Sequence, residues 1–375
     1  MMTTPSLLRN LPLAALASTL SASAGQWPTW RGDAAMSGVA QESLTFPLSL
    51  AWKFEAAKPV KATAVSDGER FFIGDAKGKF FALGASDGKP VWTYDTKDSI
   101  EGSALLVEDK VVFGSLEGVV YCLEAKTGKE AWKFKTEGEV RAAPNAFLRK
   151  DQSPLVLIGS YDNRLYALDL LTGKKVWQVE TSNYINGSAS VVEGMTAFGG
   201  CDGFVYFINA ADGTEAGKVE IRNPIANTVA AHGSTAVLAH YGYEVVSLDA
   251  KKFAPKWVYS EREFEYFASP AITADDTVFA ADRGKRVHRL NAADGTEKWA
   301  FRTKGRVDSS PVVTGDHVVF GSDDGNVYAV SANDGTQVWS YEIAQPVQSS
   351  ACIAGGRLVI SADDGVVYGF SPDKK

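Results

Sequence analysis

Three cysteines and four histidines are the side chains of this 375-residue sequence best suited to ligate a metal or act as a nucleophile. Cys122, Cys201 and Cys352 stand far apart, with no C-x-x-C pair of the kind that holds zinc. An odd count leaves at least one thiol unpaired in an exported chain, and all three read as small buried hydrophobes. His232, His240, His288 and His317 form no H-E-x-x-H, and neither G-x-S-x-G nor a P-loop occurs. A third set, Asp75, Glu117, Asp162, Asp202, Asp282, Asp323, Asp324, Asp363 and Asp364, recurs at even spacing and could attract cations as a ring. Asp-Gly is equally the preferred tight hairpin, which makes these turn residues first. No catalytic, metal or cofactor-binding residue is assigned, and the expectation is a protein that is not an enzyme and carries no cofactor.

Net charge is −7 with acids and bases interspersed, so the basic footprint of a nucleic-acid binder is missing. The first 24 residues carry Arg9, a short apolar run and Ala22-x-Ala24, the pattern of a secretory signal cleaved after Ala24. No later run approaches the ~20 apolar residues of a transmembrane helix, and no cysteine near the cleavage point offers a lipid anchor. The expectation is an exported protein, periplasmic or extracellular, without membrane span or anchor.

The elements that must position any site repeat. Aligning "TGKEAW" along the chain gives Trp52, Trp92, Trp132, Trp177, then Gly217, then Trp257, Trp299 and Trp339, at steps of 40 to 45 residues. Each unit, clearest in 307–343, alternates apolar and polar residues over four short runs separated by Gly- and Asp-bearing turns. Four antiparallel strands per ~40 residues define a β-propeller blade. The last unit (347–375) has three strands, and the segment at 50–56 supplies a lone fourth. Together they complete an eighth blade, so the all-β ring of 50–375 is closed by its N-terminal strand and an arm at 25–49 precedes it. The seven tryptophans, on the outermost strand, are docking residues between blades; Gly217 marks the loosest joint unless a neighbour fills the gap.

The innermost strand opens at the mouth of the central channel. Its first residues are Lys61, Glu101, Arg141, Asn186, Ala226, Phe267, Asp308 and Gln348. Lys61, Glu101 and Arg141 alternate in sign, as in a salt-bridged rim that fixes register or a polar recognition patch. The link "YSEREFEYFASP" (259–270) brings Phe264, Tyr266 and Phe267 towards that mouth, and Tyr184 belongs to the same side. Aromatics among charges are the composition of a protein-binding hot spot. Lys61, Glu101, Arg141, Tyr184, Phe264, Tyr266, Phe267 and Asp308 are therefore the candidate partner-binding residues. A longer loop, 147–155, projects from the opposite face.

The pattern in "LEAKTGKEAW", "LDLLTGKKVW", "LNAADGTEKW" and "VSANDGTQVW" resembles the tryptophan-docking repeat of the pyrroloquinoline-quinone-type propellers. One branch of that family holds a quinone and calcium in the channel, typically with a pair of adjacent cysteines, which this chain lacks. The other, non-enzymatic branch is BamB-like. Resemblance to it implies an envelope scaffold working through protein contacts, with the β-barrel assembly machinery as partner. A quinone-dependent dehydrogenase and a glycan-binding propeller are the alternatives. The arm's "WPTWRG" (Trp27 to Gly32) resembles the leader of many secreted propellers of this kind, packed on the ring or contacting a ligand.

Overall fold

The computed structural model describes residues 23–56, 58–260 and 263–373; residues 1–22, and with them most of the expected signal segment, lie outside the described residues. Among the described residues, 32 strands form eight four-stranded sheets, all consecutive strands pairing antiparallel. Seven sheets are continuous in sequence. The eighth joins Leu48–Glu55 to Val366–Pro372, with Trp52 opposite Gly369 and Glu55 opposite Val366. The ring therefore closes by pairing its N-terminal strand with its C-terminal one, which removes two sheet edges that would otherwise be open.

Blade seven shows why the sequence takes this form. Its middle strands, His317–Gly321 and Asn326–Ser331, read as nearly continuous apolar runs because both faces pack on neighbouring blades. Its outer strand, Gln337–Glu342, alternates, and only Trp339 of that strand is buried. In every blade a β-bulge interrupts the third-to-fourth strand pairing beside the tryptophan column, as between Ala329 and Val330. Such bulges add local twist, and no residue type in the sequence announces them.

Each docking tryptophan crosses to the next blade. The indole Nε1 of Trp92 donates to Ala125 O at 3.0 Å, Trp132 to Leu170 O at 2.7 Å, Trp177 to Ala210 O at 3.3 Å and Trp257 to Ala292 O at 2.7 Å. Trp299 reaches Ala332 O, Trp339 reaches Leu48 O and Trp52 reaches Ala85 O, so the series runs through the closure. A buried indole N–H needs such an acceptor. The turn glycine of the receiving blade lies flat on the ring: a Cβ on Gly128, at φ +70°, would stand 2.6 Å from Trp92. Blade four carries Gly217 instead of tryptophan, yet its joint is filled, because Phe253 of blade five packs against Gly217.

The arm runs round the base of the ring and meets the blades in order. Trp27 bridges Ser66, Pro28 O accepts from Leu106 N, and Thr29 Oγ1 donates to Pro144 O at 3.1 Å. Ala34, Ala35, Ser37 and Gly38 then offer their carbonyls to Val191, Ala231, Ile272 and Val313 N–H. Arg31 is 1% exposed and its Nη2 donates to Pro270 O at 3.1 Å and Pro311 O at 2.5 Å. Burial lowers the Arg31 guanidinium to about 9, only partly opposed by the charge of Asp33.

Candidate interaction face at the channel mouth

With the arm across the base, the channel is a cup of about 170 Å³, with Trp30 among its lining residues. Seven of the eight expected mouth residues line it: Lys61, Glu101, Arg141, Asn186, Ala226, Phe267 and Asp308. Gln348 stands beside them, donating through Nε2 to Asp323 Oδ1 at 3.1 Å.

The charges of the rim pair locally. Glu101 receives Lys61 Nζ at 2.7 Å and Arg141 Nη1 at 2.5 Å, one on each oxygen, while Arg141 Nε reaches Glu139 at 2.7 Å. Burial would lower the Arg141 pKa, but the hydrogen bond it donates to Glu139 and the charges of Glu101 and Glu139 outweigh it and the pKa rises. Across the mouth Arg283 clamps both oxygens of Asp308 at 2.9 Å, a bidentate bond that raises its pKa. Both guanidinium groups also lie over rings, Arg141 at 5.3 Å from Tyr161 and Arg283 at 4.7 Å from Phe267.

Tyr161 stacks on Tyr184 at 4.9 Å and 7°, and its hydroxyl donates to Asn186 Oδ1. Tyr184 is 49% exposed, Phe264 39%, Phe267 41% and Tyr243 38%; these are the exposed large aromatics among the described residues, and all four lie on links or second hairpin turns from blade three to blade six. Tyr266 does not join them. It is 1% exposed and packs with Trp257 and Ile272 between blades five and six. It fills the column of Val60, Ile100, Val140, Ile185, Ile225, Val307 and Val347, each buried and each just before a mouth residue. That aliphatic column, visible in the sequence, places Tyr266 inside and corrects its expected position at the mouth.

A second column went unread. The residue before each turn acid, or in the same register, is Ala76, Leu116, Tyr161, Cys201, Tyr241, Arg283, Asp323 and Asp363, and each main-chain N–H donates to the link between blades. A constant turn thus presents a variable side chain at the mouth, and the variability within a fixed frame was the available signal. Cys201 is half-buried here; Cys122 and Cys352 are buried, with burial raising the Cys122 thiol to about 12.

The turn acids have structural work. Asp162, Asp202, Asp324 and Asp364 accept the hydroxyls of Tyr166, Tyr206, Tyr328 and Tyr368 at 2.6–2.9 Å. His288 takes the tyrosine's place in blade six, with Nε2 3.0 Å from Asp282 and Nδ1 2.7 Å from Glu297. The loop at 147–155, on the opposite face, is tied by Arg149 to Asp169 at 3.0 Å.

Below the rim, two residues further along each chain segment, stand Thr63, Ser103, Ala143, Ser188, Thr228, Ser269, Ser310 and Ser350, all lining the cup. The seven hydroxyl oxygens each accept a main-chain N–H from the preceding blade at 2.9–3.1 Å, ending with Ser350 N to Thr63 Oγ1. Trp30 Nε1 donates to Thr228 Oγ1 at 3.1 Å. The residues present do not fit a quinone with its metal. Among the described residues no group of three His, Cys, Asp or Glu side chains is placed to hold a metal ion, and the cup is smaller than the ~300 Å³ at which small-molecule sites begin.

The closed ring of eight four-stranded blades, joined by tryptophan docking, makes this protein a β-propeller. The chain belongs to the family described as outer membrane protein assembly factor BamB, whose model matches residues 49–184, 99–264 and 265–374. It is similar in structure to BamB from Moraxella catarrhalis, with a TM-score of 0.73 and 18% identity over 87% of this chain and 100% of that one. It is also similar to a europium-containing methanol dehydrogenase, TM-score 0.78 and 13% identity over 92% and 98% of the two chains. A quinohemoprotein alcohol dehydrogenase from Comamonas testosteroni gives 0.75 and 14% over 94% and 81%. At these identities the likeness is one of fold. No curated protein matches the sequence. Among the described residues no helix is long and apolar enough to cross a membrane.

Proposed function

We propose that this protein is an exported, non-enzymatic scaffold that docks a protein of the cell envelope on the mouth face of its ring and serves the assembly of outer-membrane proteins. The observation that carries this reading is the segregation of exposed aromatics: Tyr184, Tyr243, Phe264 and Phe267 all occupy one arc of one face. The opposite end of the channel is crossed by the arm. Exposed aromatics flanked by charges are the composition of a docking hot spot. Lys61, Glu101, Arg141 and Asp308, paired among themselves or with neighbours, form its polar rim, where charge steers approach and register more than it adds affinity. The assignment to outer-membrane protein assembly rests on membership of the family.

The test is copurification of tagged protein with components of the β-barrel assembly machinery, in wild type and in Tyr184→Ala and Phe267→Ala variants. The reading expects both substitutions to weaken recovery at least tenfold with unchanged melting temperature. Undiminished recovery in both would remove this face from the interface.

A further inference from the structure

The hydrogen-bonding capacity of the cup is unevenly spent. A hydroxyl can donate once and accept twice. Every oxygen of the hydroxyl ring already accepts a neighbour's N–H, and none of the seven hydroxyls donates to another described residue. The rim carboxylates are already paired: Lys61 and Arg141 each bond one oxygen of Glu101, and Arg283 bonds both of Asp308. Seven O–H donors are therefore to spare in the cup, beside one lone pair on each hydroxyl except that of Thr228, which also accepts from Trp30, and the unpartnered Asn227 Oδ1.

Charge decides which of these a ligand would use. Arg31 donates to the carbonyls of Pro270 and Pro311, the residues directly after Ser269 and Ser310. It is 1% exposed, its Nε and Nη1 have no hydrogen-bond partner, and the charge of Asp33 offsets its burial only in part. A buried cation without a contacting counter-charge is costly, and an anion held on the ring would offset it. The ring's one break, at Ala143, falls two residues below Arg141, whose guanidinium stands at the same side of the mouth.

We propose that the cup binds a small oxyanion, a carboxylate or phosphate group, on the hydroxyl ring. Charge-assisted hydrogen bonds from several converging O–H donors hold such a group without a paired cation. The volume of about 170 Å³ admits an ion of this size. The inference does not depend on the docking of a protein at the rim.

Isothermal titration of the full chain with inorganic phosphate and, separately, with acetate tests it, in a low-salt buffer free of other oxyanions. Saturable one-to-one binding of either is expected, phosphate alone marking a tetrahedral site and acetate alone a planar one. Ser269→Ala and Ser310→Ala should weaken binding at least tenfold. Because both also remove an acceptor for a main-chain N–H, Ala143→Ser provides an independent variant: it completes the ring and should tighten binding several-fold. No saturable binding of either anion at millimolar concentration would overturn the proposal, as would binding that Ala143→Ser leaves unchanged.

Discussion

Phe253 occupies the place of a missing tryptophan: a Cβ built on Gly217 would lie 2.6 Å from its ring. The two positions have exchanged roles. At six other joints one blade supplies the indole and the next a turn glycine that lies flat on it, and at the closure Trp339 meets the N-terminal strand instead; between blades four and five the glycine is on the outer strand and the ring on the turn. Phe253 accepts a positive φ of 51° to do this and also packs at 5.3 Å from Phe207.

Phe253→Ala should therefore destabilise the ring as a lost docking tryptophan would, by about 3–5 kcal/mol. Denaturant unfolding measures it. A loss under about 0.5 kcal/mol, typical of a surface position, would show that the joint is held by other contacts.

Ring closure depends on a strand far away in sequence. Trp339 Nε1 donates to Leu48 O at 3.0 Å across 291 residues. Deleting 48–56 removes that acceptor, Trp52 and a whole ladder, and should lower the melting temperature of the entire ring in one transition. Trp339→Ala alone should cost about 3–5 kcal/mol. A deletion variant that melts like the parent would show that closure contributes nothing.

The period of the tryptophans, the blade count and the lone N-terminal strand were legible because they rest on repeated local pattern. Mouth residues could be placed for the same reason, since register carries from one unit to the next. Tyr266 reads as a mouth residue by its type, but the buried column it shares with Ile225 and Val307 places it inside. The path of the arm was out of reach: Ala34, Ala35 and Gly38 bind through main-chain carbonyls, which leave no trace in side-chain pattern. The hydroxyl ring is written in the sequence as Ser or Thr two residues after every mouth residue but Arg141, and its meaning depends on hydrogen bonds between blades.

Gly38 tests the arm. It has φ +74°, and a Cβ there would stand 2.1 Å from Arg31 Nη2 and 2.9 Å from Ala271 Cβ. Gly38→Ala should displace Arg31 from its carbonyls and cost about 1–3 kcal/mol as overpacking. Limited proteolysis should then cut the arm within 26–44 while the blades persist. An arm as resistant as in the parent would contradict its clasping role.

His288 makes stability depend on pH. Burial alone would lower its pKa, but the hydrogen bonds and charges of Asp282 and Glu297 outweigh burial and raise it above 6.5. Its contribution is full below that unfolded value and is lost as pH rises through the folded pKa. Glu297 is lowered to about 2, first by its hydrogen bond to His288, so its share is present above its usual value of 4.5 and lost as pH falls towards 2. The melting-temperature difference between the parent and His288→Tyr, the residue usual in this column, should be greatest near pH 5–6 and shrink on the alkaline side. A difference that stays flat from pH 5 to 9 would contradict the assignment.

The most direct test of the central claim is site-specific photocrosslinking in the native envelope from positions 184 and 264 on the mouth arc, with position 150 on the opposite face as control. The account predicts crosslinks to a component of the β-barrel assembly machinery from 184 and 264 and none from 150. Crosslinks from 150 alone, or to no assembly component from any position, would contradict it.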